Sequence, residues 1–364
     1  MDHIFMPSST VQSKKRIEFF DLAKGICIFL VVVYHISSHY EIELPANNII
    51  KSIRLPLYFF LSGCFFKTYG GFIDFIKRKC NKLLLPFTFW FFFALILTFI
   101  LSCFGVTLFT YYKLTLRAII VNTIRGTYPN SPIWFLLCLF WVNIYFYLIY
   151  IICSSFKEQN RPFLIGMFSV IAGLIGVSFS NFVIRVPFYM DSALSALPFF
   201  TFGYYLFRFT SIAKPNIFDK WIPLIIIILL LILYFISPSY SLRKNTNINY
   251  HNFVLVYLCG FMGALSVILF SKLFNKLSIV SYWGRYSIMI LVSHGIVYRL
   301  ISIFVLSPIT ARIKWDNIVS FSVNIVLTMT ICTILIPFFK KYMPHVTAQK
   351  DIIPVGDKST QACL

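Results

Sequence analysis

Apolar residues run in long blocks along almost the whole chain, and short polar stretches separate them. The blocks lie at roughly 22–40, 52–69, 84–106, 132–152, 163–180, 191–209, 221–238, 252–270, 280–304 and 318–339. A run of about 18 or more apolar residues is long enough, as a helix, to cross roughly 30 Å of hydrocarbon. The pattern therefore predicts an all-α fold: a polytopic membrane helix bundle with about 10 transmembrane helices. Two blocks are weaker than the rest. The 52–69 block begins near Arg54 and the 191–209 block contains Asp191, which leaves open whether either fully spans.

Composition strengthens this picture. Of 364 residues, 59% are hydrophobic and only 12% charged, against about 25% charged in soluble domains. The net charge of +20 could suggest nucleic acid, but its distribution points to a membrane instead. With the N-terminus placed in the cytoplasm, the loops on its side hold 19 Lys and Arg, among them "KKR" at 14–16 and "KRKCNK" at 77–82, against 10 on the other side. That asymmetry is the positive-inside signature and puts both termini in the cytoplasm. Basic loops beside anionic membrane lipids account for the charge, and no nucleic-acid partner is expected. The polar start leads into a full-length span without a small-residue cleavage pattern, so no removable signal peptide is expected. The nine cysteines, with no C-x-x-C pair, read as small buried hydrophobes rather than a disulfide or metal framework. The expected organisation is a cytoplasmic N-terminal segment at 1–16, a membrane domain at 17–341, and a polar cytoplasmic tail at 342–364 whose composition predicts disorder.

The first helix carries polar residues where lipid would exclude them. Lys24 and His35 are eleven positions apart and differ by roughly 20° around a helix axis, so they share a face. Asp21 and His39 lie on or near the same stripe. His35 is roughly 16 Å deeper than Lys24, and the residues between them, "GICIFLVVVY", offer little solvation. Such a stripe must face a cavity or polar partners inside the bundle. A plainer reading exists for some of these groups: Lys24 snorkelling to the interface and pairing with Asp21, and His39 lying at the outer surface.

Arg16, Asp21, Lys24, Gly25, Ile26, Ile28 and His35 together resemble the opening helix of the integral-membrane acyltransferase family 3. Four later stretches resemble further family segments in the same order: "LPLYFFLSGCFFK" at 55–67, "KRKCNKLLLPF" at 77–87, "PIWFLLCLF" at 132–140 and "GRYSIMILVSH" at 284–294. The "DLAKGI" opening and the lack of an appended esterase-like domain look most like the branch that includes fucose O-acetylases. The resemblance implies a bacterial inner-membrane, multi-pass enzyme. It would move an acetyl group from acetyl-CoA, a cosubstrate rather than a bound cofactor, to a sugar hydroxyl of a surface polysaccharide, lipopolysaccharide or lipid-linked saccharide, with no metal. Lys79 and Lys82 stand where many members carry an Arg-x-x-Arg pair, and lysine lacks the bidentate fork of arginine.

A sugar hydroxyl is a poor nucleophile until a base removes its proton, and histidine suits that work near neutral pH. His35 is accordingly expected to be the general base, with Asp21 and Lys24 as further catalytic candidates. Arg78, Lys79 and Lys82, with Lys77 beside them, offer charge complementary to the phosphates of the donor, although an ordinary membrane anchor would look the same. Ser287, His294 and Trp134 are candidates for the acceptor side. His294 could equally be a packing residue and Trp134 an interfacial anchor. A transporter or glycan flippase would also need buried polar stripes, and an inactive scaffold would keep the fold without turnover. The concentration of ionisable groups in the first third of the chain favours an enzyme.

Overall fold

The computed structural model describes residues 17–182, 186–210, 212, 214, 217–313 and 315–355. The segment 1–16 with Arg16, the tail beyond residue 355 and Cys363 lie outside the described residues. The helices in chain order begin with α1 (Glu18–His39), α2 (Asn47–Cys64), α3 (Phe72–Lys79), α4 (Leu85–Cys103), α5 (Leu116–Ile124), α6 (Trp134–Ser154) and α7 (Arg161–Asn181). They continue with α8 (Met190–Phe209), α9 (Ile222–Ile236), α10 (Phe253–Phe274), α11 (Ser278–Arg285), α12 (Ser287–Ile301), α13 (Ser307–Ile313) and α14 (Asn317–Tyr342). No β-strand is formed among the described residues beyond an isolated bridge between Ser241 and Thr246. Among the described residues, eight stretches of helix are long and apolar enough to cross a membrane. The protein is a polytopic helical bundle.

Each of the two weak blocks holds one continuous helix, although the first ends at Cys64, short of the block's end. α2 buries twelve of its 18 residues and α8 twelve of its 20, and the two pack against each other. Their seam is made by glycine. A Cβ on Gly63 would strike the carbonyl of Phe200, and one on Gly203 the carbonyl of Phe60, so each helix presses its backbone into the other. A hydrogen bond from Thr201 to Ser169 (2.7 Å) ties α8 to α7 on another side. α2 and α8 are modest in hydropathy because their surroundings are protein rather than lipid.

Three expectations need correction. The 280–304 block is not one helix: Tyr286 (φ −116°, ψ 27°) leaves the helical region and separates α11 from α12. α11 lies along α1 so closely that a Cβ on Gly25 would meet the Val280 carbonyl, and one on Gly284 the Asp21 carbonyl. The basic stretch at 77–82 is not a loop, because helix runs from Phe72 to Cys103 through a π turn at Cys80–Leu84. The polar tail is ordered through residue 355. Asn81 receives the backbone N–H groups of Ile352 (3.0 Å) and Ile353 (2.9 Å) and donates to the Ile353 carbonyl (2.9 Å). Trp90 donates to the Val346 carbonyl (3.1 Å). Six of the eight described cysteines are buried, and all eight are free thiols.

Candidate active site

The stripe on α1 faces two cavities at different depths. At the end of the bundle where α1 begins, Lys24 lines a cavity of about 280 Å³ together with Ser62, Tyr69, Arg78, Lys79 and Lys82. Toward the opposite end, His35 lines a second cavity of about 360 Å³. Tyr58 of α2 borders both, and its side chain is the common wall between them. The helix face shared by Lys24 and His35 thus lines one cavity near each end of the bundle.

At the basic end the cations rest on aromatic rings. Lys24 Nζ lies 4.9 Å above Phe65, Arg78 stands 4.7 Å over Tyr69, and Lys79 lies 5.3 Å over Phe75. Such contacts hold a cation without neutralising it. Burial pushes the Tyr69 phenol above its ordinary value while nearby Arg78 pulls it down, so this ring stays neutral beside the guanidinium. Lys82 differs from its neighbours. Its ammonium pairs with Asp351 (2.9 Å) and donates to the Ala348 carbonyl (2.9 Å), so the tail closes over one side of the cavity. Asp21 is buried against Arg285, with Nε and Oδ2 3.9 Å apart.

Beside the second cavity, His35 meets a fully buried histidine from the other end of the chain. The His35 and His294 rings are 5.4 Å apart and tilted by 43°. His294 is fully buried, and its Nδ1 lies 2.8 Å from the Ile290 carbonyl. A carbonyl only accepts, so Nδ1 carries the hydrogen and Nε2 keeps its lone pair. Nε2 has no hydrogen-bond partner among the described residues. Trp134 lines the same cavity and packs on Tyr189 at 4.8 Å, which makes it a wall rather than an interfacial anchor. Ser287 lies next to Tyr58 at the start of α12. His39 sits at the exposed end of α1, bonded to Ser302 (2.9 Å), away from the cavity.

Three residues of this site carried no functional signal in the sequence. Arg54 marked only the edge of a weak span, yet it lines the second cavity with its guanidinium 3.4 Å from the centre of the Tyr34 ring. Tyr58 was one aromatic among many. Arg243 of the 237–252 loop also lines the cavity. The available clue was an arginine on a buried helix, which membrane proteins rarely tolerate without use.

A family model described as an acyltransferase domain matches residues 17–336. No curated protein and no solved structure matches the chain.

Proposed function

Because the chain belongs to acyltransferase family 3 and is a multi-pass membrane acyltransferase, we propose that it transfers an acetyl group from acetyl-CoA to a sugar hydroxyl of a surface or lipid-linked glycan. The observation that carries this reading is the pair of cavities meeting at Tyr58, one lined by cations and one holding His35.

Acetyl-CoA enters from the cytoplasm, the side assigned to the basic end by its excess of Lys and Arg. Its phosphates engage Arg78, Lys79 and Lys82, and Lys24 stands beside the path of the thioester arm. The acceptor hydroxyl occupies the second cavity against His35. As its oxygen attacks the thioester carbonyl, its proton passes to His35. The new C–O ester bond forms, the C–S bond breaks, and the departing thiolate takes up a proton to leave as CoA. His294 acts as a positioning residue. With Nδ1–H committed to Ile290, its Nε2 can accept an N–H from the neighbouring imidazole and so select the tautomer of His35 that presents a free lone pair.

Labelled acetyl transfer in membrane vesicles tests this with intact protein and His35→Ala at equal abundance. Transfer is expected from the intact protein and lost in the variant. Unchanged transfer in His35→Ala would remove the general base from the mechanism. Passage of a glycan across the vesicle membrane without acetylation would favour a transporter instead.

A further inference from the structure

The second cavity is cationic well beyond what a base and a neutral sugar require. Arg54, Arg243 and Lys244 line it beside His35, and none of its lining residues is acidic. Arg54 is only 5% exposed, and among the described residues its Nε has no hydrogen-bond partner. No carboxylate lies within ion-pair distance of Arg54 among the described residues. The stacked Tyr34 ring covers one face of the guanidinium, so its in-plane N–H donors are the part left for a partner. A buried guanidinium with an aromatic ring but no carboxylate beside it is costly to hold at this depth, a cost that an anion in the cavity would offset.

Arg243 is held in place from a second direction. Its Nε donates to the Tyr189 hydroxyl (3.2 Å), a neutral partner, and its backbone N–H bonds Ser241 Oγ (3.2 Å). Lys244, in the left-handed region at φ 58°, donates its backbone N–H to Ser192 Oγ (3.0 Å) on α8. Asn245, also left-handed, bonds the Gly176 carbonyl of α7 (2.9 Å). The loop is thereby pinned to two helices at the cavity mouth. Asp191, next to Ser192, does not line the cavity, and neither do Glu41 and Glu43 after α1 or Asp316 before α14. Trp134, Phe135 and Leu291 supply apolar walls suited to a sugar ring.

We infer that the acceptor is an anionic saccharide, whose carboxylate or phosphate group is held by Arg54 and Arg243 while a hydroxyl faces His35. The placement of the hydroxyl rests on the acyl-transfer reading; the anion site does not. Two arginines approaching from a helix and from a pinned loop suit the paired oxygens of either group, since arginine binds both bidentately.

Binding of glucose, glucuronic acid and glucose 1-phosphate to the purified full-length protein, without acetyl-CoA and at fixed ionic strength, tests the inference. At least one anionic sugar is expected to bind about ten-fold more tightly than glucose, a difference of about 1.4 kcal/mol. Which anion wins separates carboxylate from phosphate. Arg243→Gln and Arg54→Gln are each expected to remove most of the preference, and Arg243→Lys to retain part of it, with size-exclusion elution confirming folded protein. Glucose binding as tightly as both anions, neither anion binding by about 10 mM, or a preference that survives both Gln variants would each overturn it. A preserved anion preference with no acetyl transfer would count against the proposed function alone.

Discussion

α9 and α2 are helices of similar length with opposite tasks. α9, "IPLIIIILLLILYFI", is apolar on every side and buries only Ile222, Ile226 and Leu233. α2 contains Lys51, Ser52, Arg54, Pro56 and Ser62, yet buries two-thirds of its residues and borders both cavities. Between membrane helices the hydrophobic effect does not discriminate, because lipid tails are as apolar as leucine. What selects the central helix is close backbone contact and a polar cavity to face. Apolarity along this chain therefore reports exposure to lipid, and a shortfall of apolarity reports the interior.

Substitutions on the two sides of this contrast should separate in order of size. Gly203→Val drives a side chain into the Phe60 carbonyl at the α2–α8 seam, where backbone cannot yield cheaply. It is expected to cost about 3 kcal/mol, seen as a lower thermal midpoint or loss of monodisperse protein in detergent. A midpoint equal to the parent would mean that the seam is not close-packed. Asp351→Asn is an intermediate case. The Lys82 pair is partly exposed, so folding stability should change by less than about 1 kcal/mol. The Michaelis constant for acetyl-CoA should nevertheless fall, by roughly two- to five-fold, as Lys82 becomes available to donor phosphates. An unchanged constant would leave Lys82 as a tail anchor only. Leu231→Ala, on the lipid side of α9 where the leucine is 54% exposed, should change stability by less than about 0.5 kcal/mol. A larger loss in a melting curve would reveal a protein partner on that face.

Much of the bundle was legible from hydropathy alone, since each of the ten apolar blocks contains helix and, among the described residues, eight helical stretches are long and apolar enough to cross a membrane. The bend at Tyr286 was not, because it depends on α11 settling against the glycine face of α1, a contact between residues about 260 positions apart. The stripe on α1 was legible from helical geometry, and the motif around His294 pointed to a residue that the fold sets beside His35. Arg54 and Arg243 were legible only as charges, one at the edge of a weak span and the other in a loop. Their convergence requires α2 to be central and the 237–252 loop to fold back over α7 and α8. The tail was misread because its composition is that of a disordered segment, whereas a single buried Asn81 supplies three hydrogen bonds that order it.

That last contact also bears on biosynthesis. Asn81 and Ile353 are 272 positions apart, so Asn81 gains its tail hydrogen bonds only when nearly all of the chain has been made. Lys24, Arg78, Lys79 and His35 are inserted early, but the wall that seats Lys82 is among the last parts to be translated. A truncated or stalled chain therefore carries the early cationic cluster and the histidine while the Lys82 side of its basic cavity stays unfinished, which ties completion of that end to completion of synthesis.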